Sequence, residues 1–393
     1  MRNTEVFMAD DDYVRGDMLK IAEYTLLDKL PDPFISLDGR RIGDPAQWRA
    51  RRSEISRSAC ELLYGKRPPE PEFLETETLC NYRFSLSLVY RITTGRRKKP
   101  IPFRLKILLP NRIEGKCPII VDGDECFGRS EGYLEAALSR GVAWALFDRT
   151  EFAHDVQAEE RGRGAVYETY PDLDCGALSC WAWGYSRVID ALERLDLPVD
   201  LDWIAVTGHS RGGKTALLAG IMDERARVVN SNESGAGGSG CYRLRAKYLY
   251  NNENPGRGEE LRDSLEQFPY WYGKDIGPYA DREADLPFDL HFMKAMAAPR
   301  TLFISEAAGD MWCNPAGSWQ TTMAAKEVYK FLNAENNLFW YYRPGFHGHL
   351  ALDAEMLVNV ILHQRDGVPL DDRMFRLPFE KPELAFDWRA PVK

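Results

Sequence analysis

The chain has no apolar run approaching the roughly 20 residues that cross a bilayer, which excludes an ordinary membrane-spanning helix. It has only six histidines and neither an H-E-x-x-H nor a C-x-x-C pattern, so no metal and no cofactor is expected. Positive charge is short as well. The formal net charge is −9 over 393 residues, which speaks against nucleic acid as a partner, because phosphate recognition needs clustered cations. The one basic cluster, Arg96-Arg97-Lys98-Lys99, reads as a solvated hairpin turn. Near the start, Met8-Ala9-Asp10-Asp11-Asp12 is acidic where a signal peptide would be apolar. The eight cysteines are scattered without a disulfide framework, and the expectation is a cytoplasmic protein with free, mostly buried thiols and no membrane partner.

What is present suits a large core: 44% of the residues are hydrophobic. The first eighty or so residues are polar and helix-leaning, most strongly over Trp48 to Leu63, and are too poor in apolar side chains to stand alone. They read as an arm (1–80) on a catalytic domain (81–393). Strand patterns then recur at Tyr82 to Ile92, Ile101 to Leu109, Pro118 to Val121, Val142 to Phe147, Trp203 to Thr207, Arg227 to Ser231, Thr301 to Ser305 and Leu338 to Arg343. The first two suggest an antiparallel pair. The later ones are short and continuously apolar, with helical patterns between them, as in a mostly parallel sheet covered on both faces. Eight strands in this order describe an α/β-hydrolase fold. Residues 236–298 interrupt the alternation with Asn, Gly, Pro and aromatics, and suit either a lid over the strand ends or a peripheral packing subdomain.

Gly208-His209-Ser210-Arg211-Gly212 lies between the strand pattern ending at Thr207 and the helical pattern from Lys214. A G-x-S-x-G turn in that context is a nucleophile elbow: it projects a weakly nucleophilic hydroxyl towards a histidine base and aims helix-start N–H groups at the developing oxyanion. In this fold the acid and then the histidine follow the serine along the chain. His347 follows the last strand pattern in a turn-rich stretch and is the favoured base. His349 competes with it, and His363 lies too far into the final helix. Two carboxylates occupy suitable places for the acid, Glu233 after the Arg227 to Ser231 strand and Asp310 after the Thr301 to Ser305 strand, and position favours Asp310.

Around these residues the chain resembles the glucuronoyl esterases, carbohydrate esterase family 15, and their bacterial relatives. The resemblance lies in Val206-Thr207-Gly208-His209-Ser210-Arg211-Gly212-Gly213-Lys214, Asn232-Glu233-Ser234-Gly235-Ala236-Gly237-Gly238, Leu286-Pro287-Phe288-Asp289-Leu290-His291 and Asp310-Met311-Trp312-Cys313-Asn314-Pro315, and extends into the arm. It implies Ser210 as nucleophile, His347 as base and Glu233 as the acid, with Asp310 a second carboxylate. It further implies Arg211 as a charged oxyanion donor, Lys214 as a sugar-hydroxyl partner and Trp312 as a wall of the sugar site. Residue patterns alone would make Arg211 a surface ion pair, Lys214 a solvated helix residue and Trp312 part of the core. The chain departs from the fungal members at His209, where they carry a disulfide-forming cysteine. The expected activity is serine hydrolysis of a carbohydrate ester of glucuronate type, on a small-molecule or oligosaccharide substrate, through an acyl-enzyme. The alternatives are a deacetylase of acetylated sugars and a non-catalytic binding protein on a hydrolase scaffold.

Overall fold

The computed structural model describes residues 18–82, 87–157 and 162–392, so the acidic Met8 to Asp12 stretch lies outside the described residues. Among the described residues twelve strands form two sheets: β1 (Leu19–Leu26), β2 (Phe73–Tyr82), β3 (Ser87–Arg96), β4 (Lys99–Leu108), β5 (Cys117–Asp122), β6 (Ala143–Phe147), β7 (Val199–Thr207), β8 (Ala226–Asn232), β9 (Leu244–Tyr250), β10 (Asn254–Arg257), β11 (Thr301–Ala307) and β12 (Leu338–Arg343). The large sheet has nine strands in the order β12-β11-β8-β7-β5-β6-β4-β3-β2. From β6 through to β12 all neighbours run parallel, whereas β2, β3, β4 and β6 pair antiparallel. This is the α/β-hydrolase architecture, with the basic cluster Arg96 to Lys99 at the β3–β4 turn.

Residue alternation on the parallel strands explains the two layers of core. Ile119 and Val121 of β5 and Val206 of β7 face a cluster built on the helices Ala177–Leu192 and Arg211–Met222. Ile120 and Ala205 point the other way, into a cluster with Tyr133, Met356 and Val360 from the helices Glu131–Leu138 and Ala351–Asp366. Central strands covered on both faces must be apolar throughout, and β6 is buried at every position.

Two features depart from the sequence expectation. The stretch expected as one strand from Tyr82 to Ile92 holds the end of β2 and the start of β3, with 83–86 outside the described residues; β2 itself escapes an apolar pattern because Glu75, Thr76, Glu77 and Thr78 are all exposed on this edge strand. The arm, expected to lean helical, holds β1 among its described residues. That strand pairs antiparallel with β9, which pairs with β10, so a segment of the arm and one of 236–298 complete a three-stranded sheet. Tertiary pairing overrides local preference there. The stretch from Trp48 is helical as expected, through Tyr64 with a π-turn at Ser56–Cys60, and it buries Trp48, Ile55, Leu63 and Tyr64 in the main core.

The helix Arg211–Met222 is tied down at its far end. Arg52, Arg67 and Arg300 donate to the carbonyls of Ile221, Met222 and Asp223 at 3.0, 2.9 and 3.2 Å. Cations at a helix C-terminus satisfy orphan carbonyls and offset the negative end of the macrodipole.

Candidate active site

Ser210 sits at the junction of β7 and the helix Arg211–Met222 with φ 58° and ψ −121°. A non-glycine residue there carries strain of about 1–3 kcal/mol, which the surroundings must over-determine. They do so from three sides. The Ser210 N–H donates to Asn232 O at 2.9 Å, the Ser210 carbonyl accepts from Lys214 N at 3.0 Å, and the neighbouring His209 N–H donates to Asp124 Oδ2 at 2.8 Å. The flanking glycines are steric necessities. A Cβ on Gly208 would lie 2.4 Å from Gly212 O, and one on Gly212 would lie 2.2 Å from both Asp124 carboxylate oxygens. Asp124 cannot step aside, because it is wholly buried and ion-paired with Arg149 and Arg129.

Because β8, β11 and β12 lie side by side, the loops leaving them meet. Glu233 follows β8 directly, with φ 44°; Asp310 follows β11 by three residues; and His347 follows β12 by four. His347 Nδ1 lies 2.6 Å from Asp310 Oδ2 and 3.3 Å from Glu233 Oε2. Both sequence candidates for the acid therefore face one nitrogen, with Asp310 closer. Glu233 is otherwise occupied: its Oε1 accepts from Arg343 Nη2 at 2.5 Å and its Oε2 from Gly348 N at 3.0 Å. Arg343, the last residue of β12, also pairs with Asp353 at 3.0 Å.

Charge follows this geometry. Burial would lower the pKa of His347, but the hydrogen bonds that its Nδ1–H donates to Asp310 and then Glu233, with the charges of these carboxylates, carry it up to about 10. Burial would likewise raise Asp310, yet the hydrogen bond and charge of His347 hold it below the ordinary carboxylate range. Glu233 goes the opposite way, raised because full burial outweighs Arg343 and His347. His209, whose ring lies 4.4 Å from that of His347, is held down at about 3 by burial and by the charge of His347. It is a neutral imidazole with Nδ1 on Asn232 Oδ1 at 2.7 Å.

The competing His349 turns away, with Nε2 2.7 Å from Tyr133 Oη, and burial pushes its pKa well below the ordinary histidine value. His363 is spent on Val368 O at 2.8 Å. Two groups of side chains bring ligand atoms within 4.8 Å of one another, His209 with Glu233 and His347, and Asp310 with Cys313 and His347. The Glu233 and Asp310 carboxylates and His347 Nδ1 are already engaged in the hydrogen bonds above, and the Cys313 thiol donates to Glu233 O at 3.0 Å.

The patterns misjudged three neighbours. Arg211 is ion-paired, but with the buried Asp155 at 3.0 Å, and its guanidinium lies 4.7 and 4.8 Å from the ring centres of Phe268 and Trp271. Lys214 is buried, not solvated. Its ammonium donates to Ser234 O at 2.7 Å, to Ala236 O, and to Glu259 Oε2 at 3.2 Å. Trp312 is not core: it is 40% exposed, with the Arg257 guanidinium 5.2 Å from its ring centre. Sequence reasoning also passed over Asp124, Asp155 and Arg343. Arg343 had a signal in its place at a strand end four residues before His347; Asp124 and Asp155 are loop carboxylates like many others.

A mostly parallel sheet helix-covered on both faces, with serine, carboxylates and histidine at its strand ends in that chain order, defines the α/β-hydrolase class. A family model described as fungal glucuronyl esterase matches residues 92–333. Among characterised relatives, the 4-O-methyl-glucuronoyl methylesterase of Podospora anserina is 32% identical over 328 residues, covering 82% of this chain and 64% of that protein. The enzyme of the same name from Hypocrea jecorina is 31% identical over 370 residues, covering 93% and 76%. This chain thus spans less than two thirds of the length of the Podospora relative. A carbohydrate esterase family 15 glucuronoyl esterase from Caldicellulosiruptor kristjansonii superposes with a TM-score of 0.80 at 28% identity, covering 93% of this chain and 98% of that one. A glucuronoyl esterase variant from Sporotrichum thermophile, in complex with methyl 4-O-methyl-β-D-glucopyranuronate, superposes at 0.71 with 25% identity, covering 90% and 92%. The chain belongs to the glucuronoyl esterase family.

Proposed function

We propose that the protein is a serine esterase that hydrolyses a carboxylic ester of a sugar uronate, of glucuronate type, through an acyl-enzyme. Ser210 Oγ attacks the ester carbonyl while His347 takes its proton. The tetrahedral oxyanion forms against the start of the helix Arg211–Met222 and the Arg211 guanidinium. The alcohol leaves with the proton held by His347, and water then repeats the sequence to release the uronate. Asp310 is the principal acid and Glu233 the second. The observation that carries the reading is the 2.6 Å bond that fixes His347 Nδ1 on Asp310 beside the strained Ser210 turn. Trp312 offers an exposed aromatic face for the sugar. For Lys214 to serve a sugar hydroxyl, that hydroxyl must replace one of the three acceptors its ammonium now holds. The relatives named for glucuronate esters, and the one in complex with such an ester, support this substrate class. The cytoplasmic location belongs to the same proposal and is supported by six of the eight cysteines being buried thiols.

The test is stoichiometric labelling of Ser210 by a fluorophosphonate, absent in Ser210→Ala, followed by rates on a methyl glucuronate and on an acetylated xylose. The proposal requires labelling and a preference for the uronate ester. Failure to label would leave a binding protein, and a preference for the acetate would leave a deacetylase.

A further inference from the structure

The loop after β6 carries a carboxylate, Asp155, that stands outside the serine–histidine–acid group. Asp155 is nearly buried, 5% exposed at its side chain, and receives partners from three separate segments. Its Oδ2 accepts from Arg149 Nη2 at 3.0 Å. Its Oδ1 accepts from Arg211 Nη1 at 3.0 Å, from Tyr270 Oη at 2.8 Å and from Trp271 Nε1 at 3.4 Å. Arg149 has a second anion in Asp124. For Arg211, Asp155 is the sole ion-pair partner among the described residues.

These contacts do to Arg211 what a free surface arginine lacks. An unrestrained arginine carries about 2 kcal/mol of rotamer entropy, which is lost when its fork must meet a charge. Here one nitrogen is anchored on Asp155, and the guanidinium carbon lies 4.7 and 4.8 Å from the ring centres of Phe268 and Trp271, so the group rests beside the edges of these two rings, which stack parallel at 3.9 Å. The Nε and Nη2 edge has no protein acceptor among the described residues. A donor edge held rigid next to the nucleophile is what an oxyanion site requires, because donors placed in advance need no reorganisation as charge develops.

We propose that Asp155 is a positioning residue: it aims Arg211 at the oxyanion and locks it to the aromatic segment Phe268–Trp271, so that this insertion helps to set the rate of the chemical step. The inference rests on the oxyanion role proposed for Arg211. Asp155 touches no substrate and acts through the guanidinium alone. Tyr270 shares the same carboxylate oxygen and serves as a brace whose loss leaves the ion pair intact.

The experiment compares Asp155→Asn, Tyr270→Phe, Arg211→Ala and the Asp155→Asn/Arg211→Ala double variant on a methyl glucuronate, with kcat expressed per fluorophosphonate-titratable serine so that misfolded protein is not counted. Removing one oxyanion donor typically costs 10²–10³ in kcat, so misaiming it should cost about tenfold or more. The expected result is a kcat lowered about tenfold by Asp155→Asn with KM changed less than about threefold, a smaller loss in Tyr270→Phe, and no further loss when Asp155→Asn is added to Arg211→Ala. An equal loss from Asp155→Asn in both backgrounds, or a change confined to KM, would overturn the inference while leaving the esterase reading in place. If Arg211→Ala itself keeps full kcat, the oxyanion role of Arg211 falls, and this inference with it.

Discussion

Replacing Asp310 by Asn tests the assignment of the acid most directly, because it keeps the shape of the side chain and removes the charge 2.6 Å from His347 Nδ1. Loss of the acid from a triad costs about 10⁴ in kcat when nothing takes its place. Here Glu233 stands at 3.3 Å, and since Coulomb attraction falls as 1/r its ionised form exerts about four fifths of the pull that Asp310 exerts at 2.6 Å. Only part of that pull is available, because full burial raises the Glu233 pKa and favours its neutral form, and Arg343 stands 2.5 Å from its other oxygen. Partial replacement follows, and the expected loss in Asp310→Asn is about 10²–10³ in kcat, against about tenfold for Glu233→Gln. The pH profile supplies the second signature. His347 must be neutral to accept the serine proton, and its carboxylate partners lift its pKa to about 10, so wild-type kcat/KM should still be climbing between pH 7 and pH 8. Removing the Asp310 charge lowers that pKa, so the acid limb of Asp310→Asn moves to lower pH even as the maximum rate drops. Both quantities can be followed by pH-stat titration of the uronic acid released from a methyl glucuronate, with Ser210→Ala as the blank. An Asp310→Asn enzyme that keeps a third of wild-type kcat and an unmoved acid limb, beside a Glu233→Gln enzyme slowed 100-fold, would show that the shorter bond is not the working one.

Two further outcomes follow from the same geometry. His349→Gln should keep most of the esterase rate, because His349 Nε2 is turned to Tyr133 and its burial already holds it neutral, whereas His347→Gln should be as slow as Ser210→Ala; the opposite ranking in steady-state rates would reassign the base. Gly212→Ala should lower stability by about 3 kcal/mol or more, since the added methyl meets the immobile Asp124 carboxylate at 2.2 Å, and a melting temperature within a degree of wild type would contradict that reading.

The parallel half of the sheet was legible because its strands are buried on both faces and so must be apolar, as in β6 and β11. The exposed edge strand β2, written largely in Glu and Thr, offers no such pattern, and β1 becomes a strand through pairing with β9 more than two hundred residues away. The elbow was legible for a steric reason: two residues before and two residues after the positive-φ serine, a Cβ would run into the Gly212 backbone and the Asp124 carboxylate, so both positions are glycine. For the two acids the sequence offered opposed signals, position pointing to Asp310 and the resemblance to Glu233, and the distances of 2.6 and 3.3 Å at one nitrogen, with the claim that Arg343 makes on Glu233, are tertiary details that no local pattern carries. The burial of Lys214 and the exposure of Trp312 were equally hidden, because each depends on distant segments, Ser234, Ala236 and Glu259 around Lys214 and Arg257 beside Trp312, and not on the local pattern of either helix.

The arginine ties at the back of the elbow helix give the N-terminal segment a mechanical part in the enzyme. Arg52 and Arg67 belong to the chain ahead of the large sheet, yet they grip the last turn of the helix whose first turn follows Ser210. That helix works as a strut: strand β7 fixes one end and the arm pins the other, so any rocking of the strut would swing the serine relative to a histidine mounted on a different strand. An engineer seeking a minimal hydrolase by trimming everything before β2 would remove two of the three pins and leave only Arg300. The arm is thus better treated as part of the chassis than as a dispensable leader.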